Sequence, residues 1–350
     1  MPPDSPFDTP WMGPRREQWL REVEAWLDGG AQAADLGERV SITVVKERPW
    51  AAVLRVRFKE GIAYFKAPGP CGRAELAVLE WLHAASDGGG LAPRLLASRK
   101  DAAWMLLADA GRPLRDLPAQ EARLRATASA MALYGSVQRR SVDELATLRA
   151  LGLPELALET LPDRLQSLLQ EPLFVEAVDA QTLRAMATQL HALLPELRAR
   201  LAALPRRPWS TALDHGDFHD GNLLVDGASL TLCDWGDACL THPLVSLGRL
   251  LAGAVQAAPA SRQAAALEGL LSAYLMAWDE PCELAKELPL VLWLSHAVRV
   301  LSYARVFAAA DLQHRTTWMP VACSAWAYFV RSKDAYLAGE LLDALRLPLD

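Results

Sequence analysis

The chain has 350 residues, 51% hydrophobic and 22% charged, with a formal net charge of −6. That length exceeds one ordinary core and predicts two lobes, and the apolar share is ample for globular packing. The negative balance leaves no basic field to hold nucleic acid or an anionic membrane surface, so neither is expected as a partner. The five cysteines, Cys71, Cys233, Cys239, Cys282 and Cys323, are scattered and contain no C-x-x-C pair. They speak against a disulfide framework or a structural zinc site and for a reducing compartment. The N-terminus lacks the basic and then apolar run of a signal peptide, so the expected setting is the cytoplasm.

Residues 1–35 read as a tail and a helix. The first thirteen residues are rich in Pro and Asp, a composition that orders poorly. From Pro14 on, Trp19, Leu20, Val23, Trp26 and Leu27 recur at helical spacing, and Gly29-Gly30 closes the pattern. This amphipathic helix should pack on the body. Residues 36–107 change to a β-rich pattern. Val40–Val45, the alternating Ala52–Phe58 and Ile62–Lys66, with the turn Lys59-Glu60-Gly61, predict an antiparallel meander. A helix over 73–85 follows, with Leu76, Leu79 and Leu82 on one stripe, and Asp87-Gly88-Gly89-Gly90 stops it. Leu95–Ala97 and Trp104–Leu107 suggest a further strand pair, and residues 108–112 a connector.

Residues 113–350 are largely helical, with candidates at 119–138, 142–151, 155–170, 180–203, 262–278, 288–310 and 320–340. The stretch 288–310 is the most apolar. It carries Pro289, His296, Arg299 and Arg305, which fits a buried helix better than a membrane span. His296 reads as a hydrogen-bonded core histidine. The exception to the helical pattern is 213–235, where Leu223-Leu224-Val225, Asp226-Gly227 and Leu230–Cys233 predict a hairpin.

That hairpin follows His215-Gly216-Asp217-Phe218-His219-Asp220-Gly221-Asn222 and precedes Asp234-Trp235-Gly236-Asp237. Phosphoryl transfer needs a carboxylate to orient the attacking hydroxyl and take its proton. It also needs oxygen ligands for Mg²⁺ and a lysine on the phosphates that stay behind. The spacing His-x-Asp-x-x-x-x-Asn, then a hairpin, then Asp, supplies the first two. It matches the kinase catalytic loop, with Gly216 where protein kinases have Arg.

On these residues the sequence resembles the aminoglycoside phosphotransferase and choline kinase-like group of the protein-kinase-like fold. The resemblance covers roughly residues 36 to 250 and implies a two-lobed α+β protein, with a small antiparallel-sheet lobe and a large helical lobe. It implies Asp217 as catalytic base, Asn222 and Asp234 as Mg²⁺ ligands, and His215 as a support of the loop. It places the phosphate-gripping lysine at Lys66, its ion-pair partner at Glu75, and an adenine-binding hinge at Leu107-Ala108-Asp109-Ala110. The activity implied is transfer of the γ-phosphate of ATP, with Mg²⁺, to a hydroxyl of a small molecule. Two departures stand out. The loop Glu47–Ala52 has no glycine-rich run, so the backbone at Trp50–Ala52 is expected near the phosphates. Ser246 stands where many relatives carry an Asp that braces the catalytic loop, so the brace is weaker or comes from elsewhere.

Asp237 is a supporting or substrate-facing candidate. His219 and Asp220 either act or only satisfy the loop backbone. Two rival functions share the motif. A metal-dependent phosphoesterase would use His215-x-Asp217-x-His219 as ligands, but it needs a second cluster of His and Asp, which the sequence does not offer. A non-catalytic or protein-substrate member of the fold is the other. A protein kinase should carry a Gly-rich loop and an activation segment, and little chain is available for the latter after Asp234. The phosphate acceptor is not legible. Asp279, Glu280 and Glu283 are too ordinary in spacing to signal a cationic pocket.

Overall fold

The computed structural model describes residues 9–85, 91–338 and 341–347. The start of the N-terminal tail and the glycine run expected to stop the second helix lie outside them. The chain opens with helix α1 (Arg16–Ala33), followed by strands β1 (Arg39–Arg48), β2 (Ala51–Phe58) and β3 (Ile62–Pro68). Helix α2 (Glu75–Ala85) and strands β4 (Leu95–Arg99) and β5 (Trp104–Ala108) complete the small lobe. The five strands form one antiparallel sheet in the order β1-β2-β3-β5-β4. The predicted meander and strand pair are both present.

Side chains alternate across a strand, and this sorts the sheet into two faces. Leu54, Val56, Phe58, Ala63, Phe65 and Leu106 face one way and are buried against Trp19, Val23 and Leu27 of α1. Lys66 follows Phe65 and therefore points to the opposite face, toward α2 and the large lobe. Met105, its cross-strand partner, and Leu107 sit there in the main core. One strand thus supplies both a core residue and the lysine of the cleft.

The expectation that Gly29-Gly30 ends α1 is wrong. The helix runs on to Ala33. A Cβ on Gly30 would lie 3.2 Å from the Cβ of Ala97, so at this position glycine lets the helix lie close on β4. That packing outweighs a helix penalty of about 1 kcal/mol per glycine.

Strand β6 (Arg112–Pro113) follows the connector, and the helical lobe begins with α3 (Gln120–Asp143) and α4 (Leu145–Ala150). The helix expected over 155–170 is broken. A 3-10 turn at Leu158–Thr160 precedes α5 (Leu161–Leu168), and α6 (Pro172–Ala177) was not foreseen. Helix α7 (Ala180–Ala203) has the expected bounds, and Asp179 caps it by accepting from the N–H groups of Gln181 and Thr182. Strands β7 (Ala212–Asp214), β8 (Leu223–Asp226), β9 (Ser229–Leu232) and β10 (Cys239–Thr241) follow. The β8–β9 pair is the predicted hairpin, β8 also pairs with β6, and β7 pairs with β10.

The remaining helices are α8 (Leu247–Ala257), α9 (Gln263–Leu275), α10 (Pro281–Ala308), α11 (Leu312–Leu337) and α12 (Leu341–Arg346). Helices α10 and α11 each start about two turns before their expected bounds and carry Pro289 and Pro320 inside them. Their true starts are Pro281 in the first turn and the Asp311 cap, which accepts from the His314 N–H. By length and composition α10 could cross a membrane, yet 67% of its most apolar stretch is buried inside the protein. It packs along α11, where Trp293 stacks on Phe329 and donates to the Phe329 carbonyl at 2.8 Å.

Burial of α1 on the sheet sets a stability test. Leu27→Ala should lower stability by about 3 kcal/mol in urea unfolding, from lost transfer energy and the cavity left behind. Met276→Ala, at a site 84% exposed, should change it by less than about 0.5 kcal/mol.

Candidate active site

Lys66 is 6% exposed and Glu75 2%. Lys66 Nζ donates to Glu75 Oε1 at 2.7 Å and also to Asp234 Oδ1. Glu75 Oε1 accepts in addition from the backbone N–H of Trp235 at 3.1 Å. One carboxylate on α2 therefore fixes both the lysine of β3 and the chain beside Asp234. Lys46 of β1 lies 3.6 Å from Asp234 Oδ2. Burial pulls Lys66 toward neutrality, but the charges of Asp234 and Glu75 outweigh it and hold the ammonium above its ordinary range. Lys66 in turn, with Lys46, holds the Asp234 carboxyl well below the ordinary range despite burial. The expected Lys66–Glu75 ion pair is present, and Asp234 joins it.

Asp234 has φ +65° and ψ +59°. A left-handed conformation costs a non-glycine residue on the order of 1–3 kcal/mol and persists only where the surroundings impose it. Here the β8–β9 hairpin and the two lysines impose it. The Cys233 N–H donates to the Asn222 carbonyl at 2.9 Å, so the hairpin returns Asp234 to the side of Asn222.

The loop 215–222 connects β7 to β8. His215 is fully buried, its Nε2 against the Cys233 carbonyl at 3.0 Å and its Nδ1 accepting from the Asp217 N–H at 3.3 Å. An acceptor role for Nδ1 puts the proton on Nε2, and burial pushes the pKa down to about 4. His215 shapes the loop as a neutral ring. Gly216 has φ +77°, and a Cβ there would lie 2.2 Å from the Asp237 carbonyl oxygen. Only glycine fits, which is the physical reason the arginine of protein kinases has no counterpart here.

Asp217 stands at the centre. Asn222 Nδ2 donates to its carbonyl at 3.0 Å and to Oδ2 at 3.3 Å, and His219 Nε2 lies 3.2 Å from Oδ2. His219 Nδ1 accepts from the Gly221 N–H at 2.9 Å and faces Arg115 Nη2 at 2.9 Å, so the His219 proton belongs on Nε2, toward Asp217. Arg115 also pairs with Asp220 at 3.0 Å. Arg249 of α8 reaches Asp217 Oδ1 at 2.5 Å, and Arg299 of α10 lies 3.9 Å from the same oxygen. Burial pushes the Asp217 carboxyl up, but the hydrogen bond from His219 and the arginine charges win and keep it ionised. Asp237 differs: burial, then the charges of Asp217 and Asp234, push it up to about 6 against the pull of Arg305.

The brace expected at position 246 is rearranged. The carboxylate sits on Asp214, the last residue of β7, and is fully buried. It accepts from the Ser246 hydroxyl, from the Ser246 N–H at 3.2 Å, from the Tyr134 hydroxyl at 3.1 Å and from the Gly216 N–H at 2.8 Å. The His215 N–H donates to the Tyr134 oxygen at 2.9 Å. Ser246 is therefore the donor partner of a carboxylate that lies in the loop strand itself. The signal for it was an aspartate, Asp214, at the inward end of an apolar strand.

Lys46, Trp50, Lys66, Asp217, Asp234 and Asp237 line one cavity of about 250 Å³ between the lobes. Trp50, at the tip of the β1–β2 turn, packs against Phe307 (tilted) and Trp318 (edge to face) of the helical lobe at 5.6 and 5.0 Å between ring centroids. At the connector, the Ala108 N–H already donates to the Arg94 carbonyl at 2.9 Å, Leu107 is buried, and Asp109 is exposed. Asn222 and Asp234 fit a magnesium ion. With Nδ2 turned to Asp217, Asn222 keeps its amide oxygen for a cation, and Asp234 is an ionised oxygen donor beside it. Among the described residues no group of three or more His, Cys, Asp or Glu side chains is placed to hold a metal ion. The sequence reading missed Lys46, Arg249, Arg299, Arg115 and Asp214.

A small sheet lobe and a helical lobe, meeting where a Lys–Glu–Asp cluster faces an Asp–Asn loop, define a small-molecule phosphotransferase of the protein-kinase-like fold. Residues 53–284 match the family model of the phosphotransferase enzyme family, and the chain belongs to that family. It is an enzyme, a phosphotransferase acting on an alcohol group. None of the curated proteins matches the chain. Similar solved structures include choline kinase LicA from Streptococcus pneumoniae, 12% identical, covering 87% of this chain and 99% of that one with a TM-score of 0.56. A choline/ethanolamine kinase family protein from Mesorhizobium loti is 17% identical over 94% of this chain and 99% of that one, with a TM-score of 0.56. A thermostable mutant of the aminoglycoside phosphotransferase APH(4)-Ia, in a ternary complex with ADP and hygromycin B, is 14% identical over 89% and 98%, with a TM-score of 0.55. At these identities the likeness speaks for the fold.

Two outcomes are expected. Gly216→Ala should abolish phosphotransfer, because both its positive φ and the Asp237 carbonyl exclude a Cβ. A steady-state assay that finds full activity contradicts the loop geometry. On acidification, His215 and His296 stay neutral in the fold down to about pH 4 and pH 3, while the unfolded chain takes up those protons near 6.5. Stability therefore falls as pH drops from 6.5 toward 4, each histidine contributing on the order of 3 kcal/mol. Urea midpoints against pH should show a shallower slope in His296→Phe than in the parent.

Proposed function

We propose that the enzyme is an ATP- and Mg²⁺-dependent kinase that transfers the γ-phosphoryl group to a hydroxyl of a small molecule. The observation that carries this reading is the convergence of Lys66, Asp234 and Asp217 on one cavity, each held by a separate element. Lys66 is assigned to the phosphates that remain with the nucleotide, with Lys46 beside it. The adenine is assigned to the connector at 107–110. Because the Ala108 N–H is already used, that contact falls to Asp109 and Ala110. Mg²⁺, held by Asn222 and Asp234, supplies charge neutralisation along the phosphates.

The acceptor oxygen forms a bond to the γ-phosphorus as the bond from that phosphorus to the ADP oxygen breaks. The hydroxyl proton passes to the Asp217 carboxylate and then to water. An aspartate kept so firmly ionised is a weak base. Its contribution is to orient the hydroxyl and to take the proton late, which suits a loose transition state. The short path from Asp234 to α8 leaves no activation segment, and the enclosed cleft favours a small acceptor over a protein. With ATP as donor, the cytoplasm is the setting this reading implies.

Asp217→Ala should leave Mg·ATP binding within about twofold and cut turnover by ~10² or more. Unchanged turnover ends the assignment. Lys66→Ala should act on the nucleotide side, raising the KM for ATP or lowering kcat by a comparable factor, with the acceptor KM less affected.

A further inference from the structure

Beyond the nucleotide cavity lies a second one of about 390 Å³, within the range that encloses a small molecule. The two share Arg299, Tyr303 and Val321 in their walls, so the second cavity adjoins the one that Asp217 lines. The second cavity is walled by Arg249, Arg299, His296 and the rings of Tyr303, Tyr328 and Tyr336. Its described lining contains no carboxylate. Arg331 adds a further guanidinium behind the wall, 5.0 Å from the centre of the Tyr328 ring. A cationic acceptor would need acidic partners here and would meet two arginines instead.

The arginines also sit where an acceptor must act. Arg249 Nη1 occupies Asp217 Oδ1, the oxygen nearest the second cavity's arginines, and Arg299 flanks it while its Nη1 donates to the Tyr303 hydroxyl at 3.4 Å. A carboxylate that must receive a hydroxyl is covered by a guanidinium, and an arginine fork binds a planar or tetrahedral anion better than a single crowded carboxylate oxygen.

We propose that the phosphate acceptor is an anionic alcohol, bearing a carboxylate or phosphate group that Arg249 and Arg299 bind, and that this binding draws Arg249 off Asp217 and frees the carboxylate for the hydroxyl. The proposal rests on the kinase reading above and names its substrate class. It assigns Arg249 and Arg299 as specificity-determining residues. The transfer itself is unchanged: the acceptor oxygen gains the phosphoryl group, ADP leaves, and the proton goes by way of Asp217 to water.

The test uses the full chain saturated with Mg²⁺ and a non-hydrolysable ATP analogue, so that the γ-phosphate position is filled. Thermal unfolding is followed with glycerate, glycerol 3-phosphate or choline added in turn. At least one of the two anions is expected to raise the midpoint, the pair distinguishing carboxylate from phosphate, while choline leaves it unmoved. Arg249→Gln and Arg299→Gln should each erase the anion response and keep the rise produced by the nucleotide analogue, with Arg299→Lys restoring part of it. Stabilisation by choline alone, no response to either anion, or an anion response that survives both substitutions overturns the proposal. A parent protein that does not respond to the nucleotide analogue overturns the kinase reading itself, and the inference with it.

Discussion

The structure depends on how four carboxylates can share one cleft. Glu75, Asp217, Asp234 and Asp237 all line the cavity between the lobes or abut it. Like charges at such spacing raise one another's pKa and resist burial unless cations answer them. Lys66 answers Glu75 and Asp234 together, from the face of the sheet opposite its apolar neighbours. Lys46 supports Asp234, and Arg249 with Arg299 answers Asp217. Asp237, opposed by the more distant Arg305, is pushed up toward neutrality, and burial pushes Glu75 the same way against the pull of Lys66. Removing Lys66 would therefore leave Glu75 without a cation and Asp234 with Lys46 alone, and this ties the placement of the two lobes to the chemistry between them.

Rigidity around this cluster comes from a second set of contacts, hydrogen bonds and ring packing. Asp214 gathers Ser246, Tyr134 and the Gly216 N–H into one buried set, and Tyr134 stacks on Phe218 at 4.1 Å. That set fixes the first half of the catalytic loop to α3 and to the start of α8. His215 ties the start of the loop to the chain just past the hairpin through the Cys233 carbonyl, and the Cys233 N–H ties the end of the loop at the Asn222 carbonyl. Trp50, Phe307 and Trp318 hold the tip of the small lobe against the large one. A fully paired polar network of this kind specifies a single loop geometry, where a partly paired one would leave the loop mobile.

Much of the fold was legible because its signals are local. The alternation in Ala52–Phe58 announces a two-faced strand, and the spacing from Asp217 to Asn222 to Asp234 announces a loop and a hairpin. Lys66 and Glu75 were legible because they close one strand and open the next helix. Helix ends were less so: the expected starts at 288 and 320 fall beside Pro289 and Pro320, which the chain carries inside α10 and α11. Gly29-Gly30 reads as a stop, yet one of the two glycines serves close packing on β4. Arg249 and Arg299 carry no local signal at all. They belong to helices that are far from the loop in sequence, and their approach to Asp217 is set by how α8 and α10 pack.

A crystal structure of the chain with Mg²⁺ and ADP tests the account at its centre. It should show the metal between the Asn222 amide oxygen and Asp234, with Lys66 in contact with the phosphates and Glu75 still paired to it. A metal held instead by His215 and His219, or a nucleotide bound away from Lys66, would contradict it.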